Sequence, residues 1–303
     1  INIHYIRNKR YFKCFCLILS LIISGFMIQK SQELKDFSFI EDELPVYKQL
    51  LIKLIEQITG KRKVSKIYRQ IVAKDDTGRS FWDRAVEELE LQIRIHGNSL
   101  NSIPKQGPLL VVANHPFGQI DGLVLGYILE KIRPDFKIVA WDIMNEIDYF
   151  KDKILPISFK NEYSSKRNNL RTLKQSIQNI KEGGVVAIFP SGECAISKNF
   201  IGKAQEGQWL KFTSRIVLAT DVPVLPIFFH GQNSRIFQII GNFGYYFKLS
   251  MFFHEICNMI GKDVRLTIGN LLNETDYSNR NNEDDLIDYL FYETEKLSFQ
   301  NSL

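Results

Sequence analysis

The chain has 303 residues, with 39 Lys and Arg against 34 Asp and Glu, and 45% of its residues are hydrophobic. These values are typical of a globular protein and exclude collagen-like, disordered and polytopic membrane classes. Residues 1–26 contain four bases and no acid, whereas the remainder has 35 bases and 34 acids, so a broad basic surface for nucleic acid is not expected. The four cysteines form no C-x-x-C pair, so neither a zinc site nor a disulfide framework is expected.

An apolar run at residues 14–28 follows a basic stretch. It is shorter than the about 20 residues of a transmembrane helix, and no small-residue cleavage site follows it. Three interpretations remain open: a signal peptide, a short membrane anchor, or a stretch that the natural protein lacks. Because the first methionine is Met27, we expect translation to start there. We therefore treat residues 1–28 as a separate apolar segment.

Residues 29–80 are predicted to form a helical, membrane-proximal extension. Apolar residues recur at helical spacing between Leu44 and Ile55. The basic segment 61–69 follows. It is typical of either a solvated helix face or a patch that binds lipid headgroups.

Residues 81–275 alternate between helical and strand patterns and are predicted to form one domain, followed by a C-terminal helix within 276–303. Continuous apolar strands separated by helices are typical of α/β proteins. The expected fold is a single mixed, largely parallel sheet of about seven strands flanked by helices. The predicted strands are 91–97, 109–113, 136–140, 154–157, 185–189, 224–229 and 264–268, and the predicted helices are 81–90, 121–131, 163–182, 207–219, 244–260 and 283–297.

The first candidate site is ANHPFGQIDGL at residues 113–123, where His115 directly follows a predicted strand. A loop that contains Pro116 and Gly118 is able to bend Asp121 back toward the histidine. A carboxylate on one imidazole nitrogen fixes the tautomer and makes the other nitrogen a better base. Because no protein nucleophile adjoins the pair, it suits deprotonation of a substrate hydroxyl. The alternative is that Asp121 caps a helix and His115 is a structural loop residue.

The second candidate site is AIFPSGECA at residues 187–195. A turn at Ser191 and Gly192 is suited to present backbone N–H groups, and Glu193 is suited to bind a polar headgroup. The alternative is an ordinary turn with a surface glutamate. Cys194 is predicted to be a packed apolar side chain rather than a nucleophile.

The third candidate site is VPVLPIFFHGQNSR at residues 222–235. Its two prolines predict an edge strand or a bulge. His230 is either a second polar contact or a structural residue, and the structural role is favoured. The nearly continuous apolar segment 243–260 is predicted to pack in the core, with partial insertion into a bilayer surface as the alternative.

Together, the three segments resemble the glycerolipid and lysophospholipid acyltransferases. HPFGQID is similar to the His/Asp motif of that family, Phe189-Pro190 with Gly192 to its third block, and VPVLPI to its fourth. The forms NHPFG, FPSGE and FFHGQNSR resemble the haemolysin-like branch, which includes lyso-ornithine-lipid acyltransferases. The resemblance covers roughly residues 81–275, and the motifs in this order are more specific than each motif alone.

Two departures from the wider family concern the acceptor. Five residues, rather than the commoner four, separate His115 from Asp121, as in the haemolysin-like branch. The third block reads FPSGE instead of FPEG followed by Thr-Arg, so its arginine is absent. In the wider family this block helps to hold a glycerol phosphate. Its altered form favours a lyso-amino-acid lipid over a phosphate-bearing acceptor.

The resemblance implies that His115 is a general base, oriented by Asp121, for attack of an acceptor hydroxyl on a fatty-acyl thioester. It also implies an oxyanion held by N–H groups near Gly118 or the turn at Ser191 and Gly192. The substrate-binding residues that it implies are Asn114, Phe117, Gly118, Phe189, Pro190, Ser191, Gly192, Glu193, Lys160, Arg167, His230, Asn233 and Arg235.

The same resemblance implies an O-acyltransferase that needs no metal or bound cofactor. Its expected partners are acyl carrier protein or a coenzyme A thioester as acyl donor, a lyso-lipid such as lyso-ornithine lipid as acceptor, and a membrane surface. The expected role is membrane lipid biosynthesis, as a peripheral or monotopic protein on the cytoplasmic face of the bacterial inner membrane. Three alternatives remain: a lysophosphatidic-acid acyltransferase, a lipid hydrolase, and a noncatalytic membrane-bound lipid-binding or scaffold protein.

Overall fold

A computed structural model describes residues 45–74, 78–142, 144, 148–159, 163–199 and 202–301. The predictions for residues 1–28, for a start at Met27 and for Lys160 lie outside the described residues. Of the predicted extension at 29–80, the structure describes 45–74 and 78–80.

The strands are β1 Gln92–Gly97, β2 Leu109–Ala113, β3 Phe136–Trp141, β4 Ile154–Ile157, β5 Val185–Ile188, β6 Ile196–Ser197, β7 Ala204–Gln205, β8 Val224–His230 and β9 Asp263–Ile268. Seven of them form one sheet with the order β1-β9-β8-β2-β5-β3-β4. Every neighbouring pair in it is parallel except β8 and β9. The predicted mixed, largely parallel sheet is confirmed. The short antiparallel pair of β6 and β7 is not predicted by the sequence.

The helices are α1 Val46–Ile58, α2 Lys61–Ala73, α3 Phe81–Glu88, α4 Gln119–Ile132, α5 Tyr163–Lys181, α6 Phe212–Thr220, α7 Arg235–Gly241, α8 Tyr245–Ser250, α9 Phe252–Met259, α10 Glu274–Tyr277 and α11 Glu283–Glu295. They form a layer on each side of the sheet. Apolar residues of α3, α4 and α9 pack on one face, and those of α5, α6 and α11 pack on the other. The predicted helices on both faces are therefore present.

Strand β2 lies near the centre of the sheet, and all five of its residues are buried. Leu109, Val111 and Ala113 face the layer that contains α4, whereas Leu110 and Val112 face the layer that contains α5. Burying such an aliphatic side chain contributes about 1.5–3 kcal/mol. The loop that carries His115 therefore begins at the end of a tightly packed strand.

Pro226 lies in β8, an interior strand between β9 and β2, so the predicted edge strand is wrong. The alternative prediction of a bulge agrees with the pairing: Val224 pairs with Leu272 and Ile227 with Ile268, so three residue steps on β8 lie opposite four on its partner. The proline lies opposite Gly269, just beyond the end of β9, and its carbonyl accepts the Gly269 N–H at 2.9 Å. Because proline has no backbone N–H, a single hydrogen bond is missing, the one that Pro226 would donate toward Gly269. The ladder between β8 and β9 therefore continues normally from Ile227.

Two helix predictions also need correction. The helix predicted at 207–219 begins only at Phe212. The apolar segment 243–260 is not one helix, because α8 ends at Ser250 and α9 begins at Phe252. Most of its large side chains pack in the core as predicted, whereas Phe243 and Tyr245 remain 67% and 44% exposed.

Helix α1 presents apolar side chains to solvent, and α2 presents bases. The α1 face consists of the exposed residues Leu50, Leu51, Leu54 and Ile58. The exposed bases of α2 are Arg62, Lys63, Lys66 and Arg69. Among the described residues, none of the helices has both the length and the apolar character that a membrane crossing requires.

Candidate active site

The three candidate segments meet at one edge of the sheet, because β8, β2 and β5 are adjacent and parallel. Ligand sites of open α/β sheets form at this carboxyl edge. The Ala195 N–H donates to the carbonyl of His115 at 2.9 Å, which joins the second segment to the first. The side-chain amide of Asn114 exchanges two hydrogen bonds with the backbone of Phe229, at 2.6 and 3.0 Å, which joins the third.

His115 and Asp121 contact each other at this edge, with Nδ1 3.1 Å from Oδ2. Asp121 is fully buried, and its Oδ2 also accepts the N–H groups of Phe117 at 2.7 Å and Gly118 at 3.0 Å. Because both amides lie at the start of α4, Asp121 caps this helix as well as contacting the imidazole. The catalytic roles of the pair remain a prediction, and the geometry suits them.

The imidazole of His115 is positioned by packing more than by hydrogen bonds. It stacks on the Phe189 ring, with centroids 4.1 Å apart and planes inclined by 25°. Its buried Nδ1 has no well-aligned hydrogen bond despite the short distance to Asp121, and Asp121 Oδ1 is also buried without a partner among the described residues. Catalytic hydrogen bonds are often poorly aligned before the substrate binds.

Burial dominates the electrostatics of Asp121. Loss of hydration raises the pKa of its carboxyl group, while His115 and the N–H groups of Phe117 and Gly118 oppose this rise. An ionised Asp121 would stabilise the imidazolium that forms when a general base takes a proton.

A second carboxylate, Glu206, holds the same loop and is absent from the sequence predictions. Its Oε2 accepts the backbone N–H of His115 at 3.1 Å, and its Oε1 accepts the Ser191 hydroxyl at 2.7 Å. Burial raises the pKa of Glu206, against the effect of these two hydrogen bonds. Glu206 therefore ties the first candidate segment to the second.

The N–H groups expected to hold an oxyanion are engaged within the protein. The Gly118 N–H donates to Asp121, and the Gly192 N–H donates to the Phe189 carbonyl at 3.0 Å. Both glycines adopt positive φ, at 76° and 70°, so glycine is needed here for the turn. These two N–H groups thus have acceptors within the protein, and oxyanion donors near Gly118 or the turn at Ser191 and Gly192 remain a prediction.

The rest of the second segment is packed or paired. Glu193 pairs with Lys248 of α8, whose Nζ lies 2.6 Å from Oε2. The Pro190 carbonyl accepts the Leu210 N–H at 2.9 Å. Cys194 is buried, and loss of hydration raises the pKa of its thiol to about 12. The thiol therefore stays protonated, in agreement with its prediction as a packed side chain.

Two polar residues of the third segment make contacts within the protein, and the predicted substrate-binding roles of the segment remain a prediction. His230 Nε2 lies 2.7 Å from Thr267 Oγ1, and burial lowers the pKa of this histidine. Arg235 donates to the Gly202 carbonyl. Asn233 is buried, and neither of its amide atoms has a partner among the described residues, so its predicted substrate contact remains open.

Of two other predicted substrate-binding residues, Phe117 is buried and Arg167 is exposed. The ring of Phe117 packs against the backbone of Gly231, where an added Cβ would lie 2.5 Å from it. Arg167 is exposed on α5, and the structure does not bring it to the His115 loop by any described hydrogen bond or ion pair. Its role as a headgroup cation remains a prediction.

A cavity of about 380 Å³ lies beside this edge. Asn114, Pro116 and Glu206 line it, together with Phe291 and Glu295 of α11. It therefore borders both neighbours of His115 in the chain. In the part of the chain that the structure describes, no group of three or more His, Cys, Asp or Glu side chains is arranged to hold a metal ion.

Comparison with known proteins relates the segment that contains this site to a protein family. Residues 92–230 match the family model described as Acyltransferase. This match covers the segment that holds the His115–Asp121 pair and supports an enzyme of the acyltransferase class. Together with the relatives below, it supports the glycerolipid and lysophospholipid acyltransferase family and an O-acyltransferase activity.

Two curated relatives are both named lyso-glycine lipid O-acyltransferase. The protein of Phocaeicola vulgatus is 26% identical over 204 residues, which are 65% of this chain and 70% of that protein. The protein of Bacteroides thetaiotaomicron is 25% identical over 171 residues, which are 56% of this chain and 60% of that protein. Among solved structures, the 1-acyl-sn-glycerophosphate (LPA) acyltransferase PlsC from Thermotoga maritima has 18% identity and a TM-score of 0.47, over 85% of this chain and 98% of that chain.

Proposed function

We propose that the protein transfers a fatty acyl group from an acyl thioester to the hydroxyl of a lyso-amino-acid lipid. The observation that supports this most directly is the contact of His115 with the buried Asp121 at the carboxyl end of β2. In the described residues, no serine or cysteine side chain hydrogen-bonds to the imidazole, and Cys194 is held protonated. A base without a protein nucleophile suits direct transfer to an acceptor alcohol.

In the proposed reaction, His115 Nε2 takes the proton of the acceptor hydroxyl as its oxygen attacks the thioester carbonyl. Asp121 stabilises the imidazolium from the Nδ1 side. The tetrahedral intermediate then collapses, the carbon–sulfur bond breaks, and the proton passes from His115 to the leaving thiolate. The products are an ester and a free thiol. The atoms balance without a metal or bound cofactor, so the thioester of acyl carrier protein or coenzyme A serves as co-substrate.

The proposed acceptor class rests on the relatives and on the third block. Both relatives are named for lyso-glycine lipid, and FPSGE lacks the arginine that the wider family carries after its third block. Glycine and ornithine lipids share a carboxylate and differ in the side-chain amine of ornithine. We propose a lyso-amino-acid lipid, with lyso-ornithine lipid and lyso-glycine lipid as the two acceptors to compare, and place the chain in the haemolysin-like branch.

We further propose that the protein acts in membrane lipid biosynthesis as a peripheral or monotopic protein on the cytoplasmic face of the bacterial inner membrane. The α1 face offers apolar side chains, and the exposed bases of α2 offer positive charge beside it. This combination favours binding to the surface of a membrane that contains anionic lipids. A cytoplasmic active site would also meet the acyl donor in the compartment where it is made.

The test is to incubate the purified protein with acyl carrier protein thioester or acyl-coenzyme A and each lyso-lipid, and to identify products by mass spectrometry. We expect diacyl amino-acid lipid from the wild-type protein and none from His115→Ala. Free fatty acid alone would indicate a hydrolase, and acylation of lysophosphatidic acid alone would indicate a phosphate-bearing acceptor. Binding of lipid without any product would indicate a scaffold.

A further inference from the structure

A buried lysine lies close to the proposed active site and has no part in the mechanism above. Lys248 of α8 is 6% exposed, and its Nζ lies 2.6 Å from Glu193 Oε2. The Glu193 side chain is 55% exposed. Burying an ammonium group is costly unless it is paired, and Glu193 supplies that pairing from a half-exposed position.

The segment that contains Glu206 and Gly207 connects this pair to the His115 loop. Glu193 Oε1 lies against Gly207, where an added Cβ would be 3.5 Å away, and Gly207 directly follows Glu206. Glu206 in turn binds the backbone N–H of His115. Glu193, the partner of Lys248, therefore contacts the immediate chain neighbour of Glu206, the partner of His115.

Cys194 gives a second, independent connection. This side chain is buried next to Glu193. Beyond the dominant effect of burial, Lys248 lowers the pKa of its thiol, and Asp121, Glu193 and Glu206 raise it. The buried Cys194 thiol therefore lies within the electrostatic range of both Lys248 and Asp121.

The Lys248 ammonium group has more N–H donors than its pairing with Glu193 uses. Lysine carries three N–H donors, and Glu193 is the one carboxylate that pairs with Lys248 among the described residues. The half-exposed Glu193 is able to turn toward solvent or to share the ammonium with a second carboxylate. A compact point charge of this kind binds a single carboxylate without the bidentate geometry that arginine imposes.

We propose that Lys248 is a specificity-determining residue that binds the carboxylate of the acceptor's amino-acid headgroup, with Glu193 as its partner when the site is empty. The inference rests on the proposed function and adds the recognition of the headgroup. In a lyso-amino-acid lipid the carboxylate and the reactive hydroxyl are separated by several bonds. In this proposal, Lys248 holds the carboxylate while His115 takes the proton of the hydroxyl. In this proposal, Lys248 of α8 supplies the positive charge that an arginine supplies in the third block of the wider family, and which FPSGE lacks.

The test compares lyso-glycine lipid with its carboxyl methyl ester, using the full chain and a fixed acyl donor. Wild-type protein is expected to prefer the free acid by about 10-fold to 100-fold in kcat/KM, as for loss of a charge-assisted hydrogen bond. In Lys248→Met, kcat/KM for the free acid should fall to that for the ester. Lys181→Met is the matched control, because Lys181 is exposed at the far end of α5 and should keep the wild-type preference.

Glu193→Gln separates recognition from a merely structural ion pair. If the pair only holds α8 in place, this variant and Lys248→Met should lower the rates for both acceptors alike. If Lys248 binds the headgroup, Glu193→Gln should keep or increase the preference for the free acid, because the internal competitor loses its charge. This variant also keeps the inference falsifiable if Lys248→Met fails to fold.

The outcomes distinguish this inference from the function on which it rests. Equal wild-type rates for the acid and the ester, or an undiminished preference in Lys248→Met, would overturn the role of Lys248 while leaving the acyltransferase intact. Parallel losses for both acceptors in the two variants would do the same. Acylation of lysophosphatidic acid with neither glycine acceptor used would instead remove the proposed acceptor class.

Discussion

Two buried charged side chains lie at opposite edges of the same sheet and differ in how fully they are satisfied. Arg133, at the amino edge, donates from all three of its nitrogens, to Asp135 at 2.9 and 2.7 Å and to the carbonyls of Pro104, Gly107 and Gly183 at 3.0, 2.7 and 2.9 Å. Asp121, at the carboxyl edge, is fully buried, yet its Oδ1 has no partner among the described residues.

This contrast separates two uses of a buried charge. A guanidinium that donates from all three nitrogens fixes the loops that enter the sheet. A carboxylate that is only half satisfied leaves the site with capacity that a substrate or a proton transfer can use. The amino edge is therefore expected to contribute mainly to stability, and the carboxyl edge mainly to activity.

The largest expected effect is on His115. The substitution His115→Ala removes the proposed base and should lower kcat by about 10²–10⁴-fold while the protein stays folded. Initial-rate assays and thermal melting followed by circular dichroism would measure the two quantities. His96→Ala, at an exposed histidine of β1, is the matched control and should change neither. An active His115→Ala protein would contradict the assignment of the base.

Asp121→Asn should lower kcat by about 10²-fold and at the same time change how stability depends on pH. Burial raises the pKa of Asp121, so the contribution of this carboxyl group to wild-type stability falls as pH rises above about 4, whereas asparagine does not titrate. The melting temperature of the variant relative to wild type should therefore be higher at pH 7 than at pH 4. A difference that stays constant with pH, while exposed Asp152→Asn behaves like wild type, would contradict the raised pKa.

Arg133→Met should leave the folded enzyme active and lower its free energy of unfolding. Losing the guanidinium leaves buried carbonyl groups unpaired, at a cost of about 1–3 kcal/mol. Urea denaturation would measure this loss, and kcat measured well below the melting temperature should match wild type. Arg94→Met, at an exposed arginine of β1, should cost much less. A change in kcat without a change in stability would contradict the proposal that the amino edge of the sheet contributes mainly to stability.

Glu206 gives the smallest expected effect, because it acts on His115 only as a positioning residue. Glu206→Ala should lower kcat about 10-fold with little change in KM, since it releases the His115 loop from Ser191. Glu206→Gln keeps an acceptor for the His115 N–H and should recover part of the rate. Glu182→Gln, at an exposed residue, is the control. Equal losses in Ala and Gln variants would show that charge, rather than position, matters.

The sequence was informative where neighbouring residues in the chain act together. The apolar strands predicted the sheet. His115 and the first turn of α4, which holds Asp121, are joined by a short loop, so their contact was one of the two interpretations that the local spacing allowed. Glu206 lies 91 residues from His115, and no local pattern signals it. Lys248 is a single charge inside an apolar segment, and only tertiary packing shows that its partner is Glu193. Pro226 misled because the rule for edge strands assumes that the rung opposite the proline is needed.

The side chain of Asn114 makes the same two hydrogen bonds to Phe229 that a further peptide unit of β2 would have made. The amide group thus takes the place of backbone at the last rung between β2 and β8. The main chain is released from the sheet one residue early, without leaving Phe229 unpaired. The His115 loop therefore leaves the sheet at once while remaining attached to a fully buried strand.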